Sequence, residues 1–200
     1  MDLGLRNATA VVTGGTKGMG RATAEFLARD GARVAVFARG RTGLDDAAAA
    51  LATLGSPDAV GLVVDVTDPR GIDAAFATLA QRWGALNILI NTVGPDRLGT
   101  IDEFSDADWE YTFTLGTMSA VRCVRAALPL LRRAQWARIV NVSAHSTKRQ
   151  APTLIGYTAA KAAITSISKN LAKTLAPEGI LVNTVSPGTF LTGGVRAWLE

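Results

Sequence analysis

Two side chains in the second half of the chain, Tyr157 and Lys161, are spaced for proton transfer. They lie in an alanine-rich amphipathic segment, residues 155–176, whose pattern predicts a helix. Residues four apart share one helix face, so both side chains can reach a common ligand. A phenol with an ordinary pKa of about 10 is a poor base at neutral pH, and a neighbouring ammonium group favours its ionised form. The pair is therefore a candidate proton-transfer site.

A glycine-rich stretch near the start of the chain, TGGTKGMG, is a candidate phosphate-binding loop. Gly14, Gly18 and Gly20 stand between a predicted strand and a predicted helix, where they permit a tight turn and a close approach of backbone N–H groups to a pyrophosphate. The G-x-x-x-G-x-G spacing is not that of a Walker loop, and no Lys-Ser or Lys-Thr pair follows it. ATP hydrolysis is therefore disfavoured.

The elements that must position these residues alternate along the chain. Short β-branched runs predict strands at 8–12, 33–37, 60–64, 86–90, 138–142 and 180–185, and amphipathic segments predict helices at 19–30, 45–55, 69–83, 106–134 and 155–176. Apolar strands that alternate with helices indicate an α/β fold, a doubly wound parallel sheet covered on both faces. Ligands bind beyond the carboxyl ends of such strands, and polar or glycine residues follow all six of them.

Composition narrows the classes of protein to consider. The chain has 200 residues, of which 48% are hydrophobic, and we expect one domain over residues 1–200. No apolar run is long enough for a membrane span and no signal peptide is recognisable, so we expect a cytoplasmic protein. One histidine and one cysteine, Cys123, predict no metal site, and a net charge of +4 with scattered basic residues predicts no nucleic-acid partner.

The order of these motifs resembles the short-chain dehydrogenase/reductase family, in its NADP-dependent 3-oxoacyl-reductase-like branch. The resemblance rests on TGGTKGMG, NTVG (Asn91 to Gly94), the Tyr157/Lys161 pair and NTVSPG near the end, and it covers essentially the whole chain. It implies a Rossmann-like fold, a nicotinamide cofactor, and hydride transfer between nicotinamide and a carbonyl or secondary alcohol substrate. Family members usually continue through a substrate-covering part, so we expect that part to be absent from residues 1–200.

The resemblance also assigns the residues that bind the cofactor. Tyr157 is implied to exchange a proton with the substrate oxygen, and Lys161 to bind the nicotinamide ribose. The remaining positions lie at the carboxyl ends of the predicted strands: Gly14, Thr16, Lys17, Gly18, Met19, Gly20, Arg39, Asp65, Val66, Asn91, Gly94, Pro187, Gly188 and Thr192.

The residues after the second strand predict which cofactor is used. An acidic residue there would bind the ribose 2′-hydroxyl of NAD, whereas a basic residue accommodates the 2′-phosphate of NADP. Ala38 occupies the acidic position, Arg39 and Arg41 follow, and Lys17 belongs to the glycine-rich loop. We therefore predict NADP, with NAD the less favoured cofactor.

Two catalytic positions of the family are altered. The position of its helper serine, thirteen residues before Tyr157, holds Ala144, and Ser143 stands one residue early. Ser143 is the catalytic candidate, with His145 and Ser146 as alternatives. The position of the family's asparagine, which orders a proton-relay water, holds Gly116.

The sequence also gives expectations about the oligomeric state and about an alternative function. The predicted helices 106–134 and 155–176 resemble those that pair between subunits in the family, so a homodimer or homotetramer is expected. The altered serine and asparagine positions leave an alternative to the oxidoreductase, namely a catalytically weak or inactive NADP(H)-binding protein with a regulatory or structural role.

Overall fold

One parallel sheet organises the chain, as predicted. The computed structural model describes residues 3–189. The strands are β1 (Thr9–Thr13), β2 (Arg33–Ala38), β3 (Ala59–Val63), β4 (Ile88–Asn91), β5 (Ala137–Val142) and β6 (Ile180–Val185). They pair in parallel in the order β3-β2-β1-β4-β5-β6, which confirms the doubly wound α/β fold. The order reverses between β1 and β4, and a crevice at that switch point is where such sheets bind ligands.

In the described part of the chain, six α-helices flank the sheet. They are α1 (Gly18–Arg29), α2 (Arg41–Thr53), α3 (Pro69–Trp83), α4 (Asp106–Phe113), α5 (Ser119–Leu131) and α6 (Ile155–Leu175). The segment predicted as one helix over 106–134 is divided, because a π-helical turn, Thr114–Met118, stands between α4 and α5. Among residues 3–189, no helix is long and apolar enough to cross a membrane.

Alternate strand residues face two separate apolar layers. On one face, Val12, Val34 and Val36 pack with buried residues of α1 and α2. On the other face, Val11, Phe37 and Leu89 pack with buried residues of α3, α5 and α6. Near-continuous apolar strands are the pattern of a sheet buried on both sides. The two layers hold the strand ends in register, and those ends carry the candidate site.

Candidate active site

The glycine-rich loop joins β1 to α1 at the switch point. Gly14 has a φ angle of 68° and Gly18 one of 56°, values that favour glycine. A Cβ atom on Gly20 would overlap the carbonyl oxygen of Gly14 and lie 2.8 Å from Oγ1 of Thr92. Lys17 occupies the N-cap of α1 without a side-chain hydrogen bond to it, and the first turn carries no acidic residue. The start of α1 is therefore suited to an anion.

Thr92 ties this loop to the end of β4. Its backbone N–H donates to Oγ1 of Thr13 over 3.1 Å, and its own hydroxyl donates to the carbonyl oxygen of Thr13. In the NTVG motif, Thr92 stands where the family's similar Asn-Asn-Ala-Gly motif has its second asparagine. In the structure its hydroxyl holds the two loops of the crevice together.

The candidate residues for the adenosine end of the cofactor follow β2 and β3. Asp65 is exposed and its carboxylate accepts hydrogen bonds from the N–H and hydroxyl of Thr67, over 2.8 and 2.7 Å. These two bonds, and to a lesser extent the positive charge of Arg39, lower the pKa of Asp65. Val66 is buried in the core, whereas Arg39 and Arg41 are exposed.

Lys161 is the only charged residue that is buried in the described part of the chain, with 3% of its surface exposed. Its ammonium group donates to the carbonyl oxygens of Val142 and Val93, over 2.8 and 3.2 Å. Burial lowers its pKa to about 8. A Cβ atom on Gly94 would lie 2.9 Å from Nζ of Lys161, so a side chain at this position would displace the ammonium group.

Tyr157 lies half-buried one helical turn before Lys161. The same Cβ atom on Gly94 would lie 3.9 Å from its ring, so both side chains border one point beyond β4. Burial raises the pKa of Tyr157, and the phenol is therefore protonated at neutral pH. The sequence predicted that the ammonium group would favour the phenolate, but here desolvation is the effect that dominates the pKa. A protonated phenol is a proton donor.

Ser143, the catalytic candidate, is directed into the packing between β5 and α6. It is 1% exposed, and its hydroxyl oxygen lies 2.9 Å from the carbonyl oxygen of Lys161 and 2.7 Å from Oγ1 of Thr165. Ala144, at the position of the family's serine, is also buried. The structure thus gives the hydroxyl of Ser143 partners within the protein.

Residues 145–147, which directly follow Ser143 and Ala144, form a 3₁₀ turn. The backbone N–H of His145 donates to the carbonyl oxygen of Pro187 over 2.9 Å, which ties the turn to the end of β6. Ser146 is half-buried and accepts a hydrogen bond from the hydroxyl of Thr158 over 3.0 Å. Gly188 is exposed, and Thr192 lies outside the described residues.

Gly116 lies in the π-helical turn and is buried. A Cβ atom there would lie 2.8 Å from Cβ of Ala160 and 2.9 Å from Cδ of Pro95. The hydroxyl of Thr117 donates to the carbonyl oxygen of Ala160 over 3.0 Å. The glycine therefore permits a close approach of this turn to α6, between Tyr157 and Lys161. Local π turns inside helices are common near functional sites.

A series of side-chain hydrogen bonds links β4 and β5 to α6 and was not identified from the sequence. Asn91 donates to Oδ1 of Asn141 over 2.8 Å, Asn141 donates to the hydroxyl of Ser168 over 2.8 Å, and Ser168 donates to the carbonyl oxygen of Ile164 over 2.7 Å. Asn91 and Asn141 pair in register on β4 and β5. Matching asparagines in two neighbouring strands were the signal that could have revealed this link from the sheet to α6.

The chain is similar to known proteins. The sequence model of a family described as short chain dehydrogenase matches residues 8–200. The chain is 32% identical to the D-beta-hydroxybutyrate dehydrogenase of Rhizobium meliloti, over 92% of this chain and 72% of that protein. It is 33% identical to the 3-oxoacyl-(acyl-carrier-protein) reductase of Haemophilus influenzae, over 92% and 74%. An NAD+-bound xylitol dehydrogenase superposes with a TM-score of 0.87 at 26% identity, over 92% and 71%.

Proposed function

Because the chain belongs to the short-chain dehydrogenase family, we propose that it uses NADP(H) to interconvert a carbonyl compound and a secondary alcohol, with Tyr157 as the acid/base residue. Family membership establishes an NAD(P)-dependent oxidoreductase, and nothing in the comparisons favours a catalytically inactive protein. The observation that carries the proposal is that the half-buried phenol ring of Tyr157 and the buried ammonium of Lys161 border the same point beside Gly94.

The residues around the crevice fit a dinucleotide. Cβ atoms on Gly14 and Gly20 would press against Thr92, and the one on Gly20 also against the carbonyl oxygen of Gly14, so both glycines keep the loop compact. The start of α1 has no side-chain cap, which leaves its backbone N–H groups for a phosphate. Gly94 leaves open the point that Tyr157 and Lys161 both border. When bound, the nicotinamide supplies or accepts a hydride at the substrate carbon.

Tyr157 and Lys161 would then handle the proton. In reduction, the phenol of Tyr157 gives its proton to the carbonyl oxygen as negative charge develops there, and the C=O bond becomes a C–OH group. The ammonium of Lys161 stabilises the phenolate that remains until it is reprotonated from solvent. In oxidation the same proton moves in the opposite direction.

Charge at the end of β2 supports NADP over NAD. Ala38 leaves no carboxylate for a ribose 2′-hydroxyl, and Lys17, Arg39 and Arg41 are all exposed at this end of the sheet. Arg41 opens α2, where the helix dipole disfavours a cation and where no acidic side chain caps the first turn. A bound 2′-phosphate would offset that unfavourable placement.

The cofactor is tested by binding. In a Lys17→Ala/Arg39→Ala double variant, we expect the Kd for NADPH, followed by its fluorescence, to rise at least about tenfold while the Kd for NADH changes little. Lys169→Ala, an exposed lysine on α6, is the control. Equal NADPH affinity in the double variant and the wild type would contradict the choice of NADP.

The reaction is tested by turnover. We expect NADPH oxidation with at least one member of a panel of ketones, 3-oxoacyl thioesters and keto sugars, and loss of that turnover in Tyr157→Phe with NADPH binding retained. A Tyr157→Phe enzyme with undiminished turnover would refute the assignment of Tyr157.

We further propose a homodimer or homotetramer in the cytoplasm. Phe113 directly precedes the π-helical turn and Met118 ends it, and the two side chains are 36% and 37% exposed, which supports burial of this face against a second copy. Light scattering on the purified protein, and fractionation of cells that produce it, test the two statements. A monomer at micromolar concentration would contradict the first.

A further inference from the structure

We propose that Ser146 takes over the substrate-orienting role that Ala144 cannot perform, by donating a hydrogen bond to the substrate oxygen that Tyr157 protonates. This inference rests on the proposed function and names one more residue of the same site. It follows from the hydrogen bonds of the hydroxyl groups between residues 143 and 147, all of which the structure describes.

Two of the three hydroxyl groups in this stretch are engaged within the protein. Ser143 is 1% exposed and lies within hydrogen-bond distance of the carbonyl oxygen of Lys161 and the hydroxyl of Thr165. Thr147 donates its hydroxyl hydrogen to the carbonyl oxygen of Ala144 over 2.8 Å. Neither hydroxyl is suited to donate to a substrate, because each would have to leave a partner inside the protein.

Ser146 differs because its hydroxyl acts as an acceptor. It accepts from Oγ1 of Thr158 over 3.0 Å, which leaves its own hydrogen to donate. A hydroxyl that accepts one hydrogen bond is polarised and becomes a stronger donor in the next. Thr158 and Ser146 thus form a short relay that ends in a donor.

The hydrogen bond to Thr158 places Ser146 at the N-terminal end of α6, the end that carries Tyr157. Thr158 directly follows Tyr157 in the chain, so one hydrogen bond and one peptide unit connect Ser146 to the proposed proton donor. The 3₁₀ turn of residues 145–147 is anchored by the bond from His145 N–H to the carbonyl oxygen of Pro187. Ser146 is half-buried, whereas the neighbouring His145 is exposed. A positioned, partly desolvated donor stabilises developing charge better than a solvated one.

In the reaction, Ser146 donates a hydrogen bond and transfers no proton. As the hydride reaches the carbonyl carbon, the oxygen gains negative charge, and the hydroxyl of Ser146 stabilises that charge before the proton of Tyr157 arrives. The bond strengthens between ground state and transition state, so its loss should affect kcat more than KM.

The experiment measures kcat and KM of the full chain with NADPH and the panel substrate that the wild type reduces fastest, beside NADPH affinity and thermal unfolding. We expect Ser146→Ala to lower kcat by roughly 10²-fold with unchanged NADPH affinity. Thr158→Val, which removes the polarising bond, should lower kcat a few-fold. Ser166→Ala, an exposed serine on α6, is the matched control and should behave as the wild type.

A second variant separates a local from a global effect. Ala144→Ser combined with Ser146→Ala restores a hydroxyl at the family's position, and we expect it to recover at least tenfold of the lost kcat, which a folding defect would not allow. A Ser146→Ala protein whose kcat is within twofold of wild type overturns the inference. So does a result in which His145→Ala loses kcat and Ser146→Ala does not. If the wild type turns over and Tyr157→Phe does not, the proposed function stands whatever Ser146 does; a wild type inactive on the whole panel overturns both.

Discussion

Gly116 and Ala160 are so close that a Cβ atom added to the glycine would lie 2.8 Å from Cβ of Ala160. Gly116 belongs to the π-helical turn and Ala160 to α6, immediately before Lys161. The contact is made where the family carries an asparagine. A larger residue at 116 would press against the helix that carries both proposed proton-transfer residues, so the glycine is part of how this chain builds its site.

Gly116→Asn, which restores the residue of the family, should therefore destabilise the folded protein. We expect the free energy of unfolding to fall by about 1–3 kcal/mol, because over-packing forces backbone and side-chain shifts. Urea unfolding measures the change. Gly40→Asn is the matched control, because a Cβ atom on Gly40 meets nothing within 4 Å. A Gly116→Asn protein as stable as the wild type, with faster turnover, would contradict this account of the glycine.

The buried ammonium of Lys161 should make stability depend on pH. Its pKa is lowered by burial to about 8 from an ordinary value of 10.5, so between these values the unfolded chain binds more protons than the folded protein. The free energy of unfolding should therefore rise from pH 8 to pH 10.5, and the cost of burying the charge is fully present below pH 8. Relative to Lys161→Met, we expect a rise on the order of 3 kcal/mol across this window.

Urea unfolding of both proteins at several pH values between 7 and 10.5 measures that difference. Lys169→Met, which alters an exposed lysine of the same helix, should follow the wild type. Parallel curves for the wild type and Lys161→Met would show that the ammonium is not desolvated in the folded protein.

Ser143→Ala should weaken the joint between β5 and α6. The variant leaves the hydroxyl of Thr165 and the carbonyl oxygen of Lys161 with one fewer partner in a buried place, at a cost of about 1–3 kcal/mol in unfolding free energy. At temperatures where the variant stays folded, kcat should fall less than in Ser146→Ala. A large loss of kcat with unchanged stability would instead support Ser143 as the catalytic serine.

Arg97 is linked to the start of α6 through the ring of Phe104. Its guanidinium group bonds Asp108 over 2.9 Å and the carbonyl oxygens of Leu98 and Glu103 over 2.8 Å each, and it lies 5.3 Å from the ring centre of Phe104. The ring of Phe104 in turn fills the space above Gly156, next to Tyr157, where a Cβ atom would overlap it.

Arg97→Gln should loosen residues 98–104 without unfolding the protein. We expect amide hydrogen exchange there to accelerate about fivefold or more, as lost hydrogen bonds near 1 kcal/mol imply, and kcat to fall with NADPH affinity unchanged. Arg149→Gln, at an exposed arginine, is the control. Unchanged exchange in 98–104 would show that the loop is held by other contacts.

Regular elements were the most predictable part of the fold. The pattern predicted α6 at 155–176 and β6 at 180–185, and the structure has Ile155–Leu175 and Ile180–Val185. The helix predicted at 45–55 begins earlier, at Arg41, and its first turn packs on the sheet through Leu44, which lies against Gly61 of β3. The division of 106–134 by a π-helical turn was not predicted, although a glycine inside a helix, here Gly116, indicates a local kink or a close backbone approach. The structure shows that the close approach is to Ala160 and Pro95.

The sequence by itself determined the order of strands and helices, the glycine-rich loop and the spacing of Tyr157 and Lys161, because each depends on residues close together in the chain. Only the tertiary structure decided which hydroxyl remains to donate. From the sequence alone, any of the three hydroxyl groups of Ser143, Ser146 and Thr147 could donate. In the structure, Ser143 donates to the backbone of α6 and Thr147 donates to the carbonyl oxygen of Ala144. Ser146 instead accepts a hydrogen bond from Thr158. The donor left free depends on hydrogen bonds between distant segments, which no local pattern records.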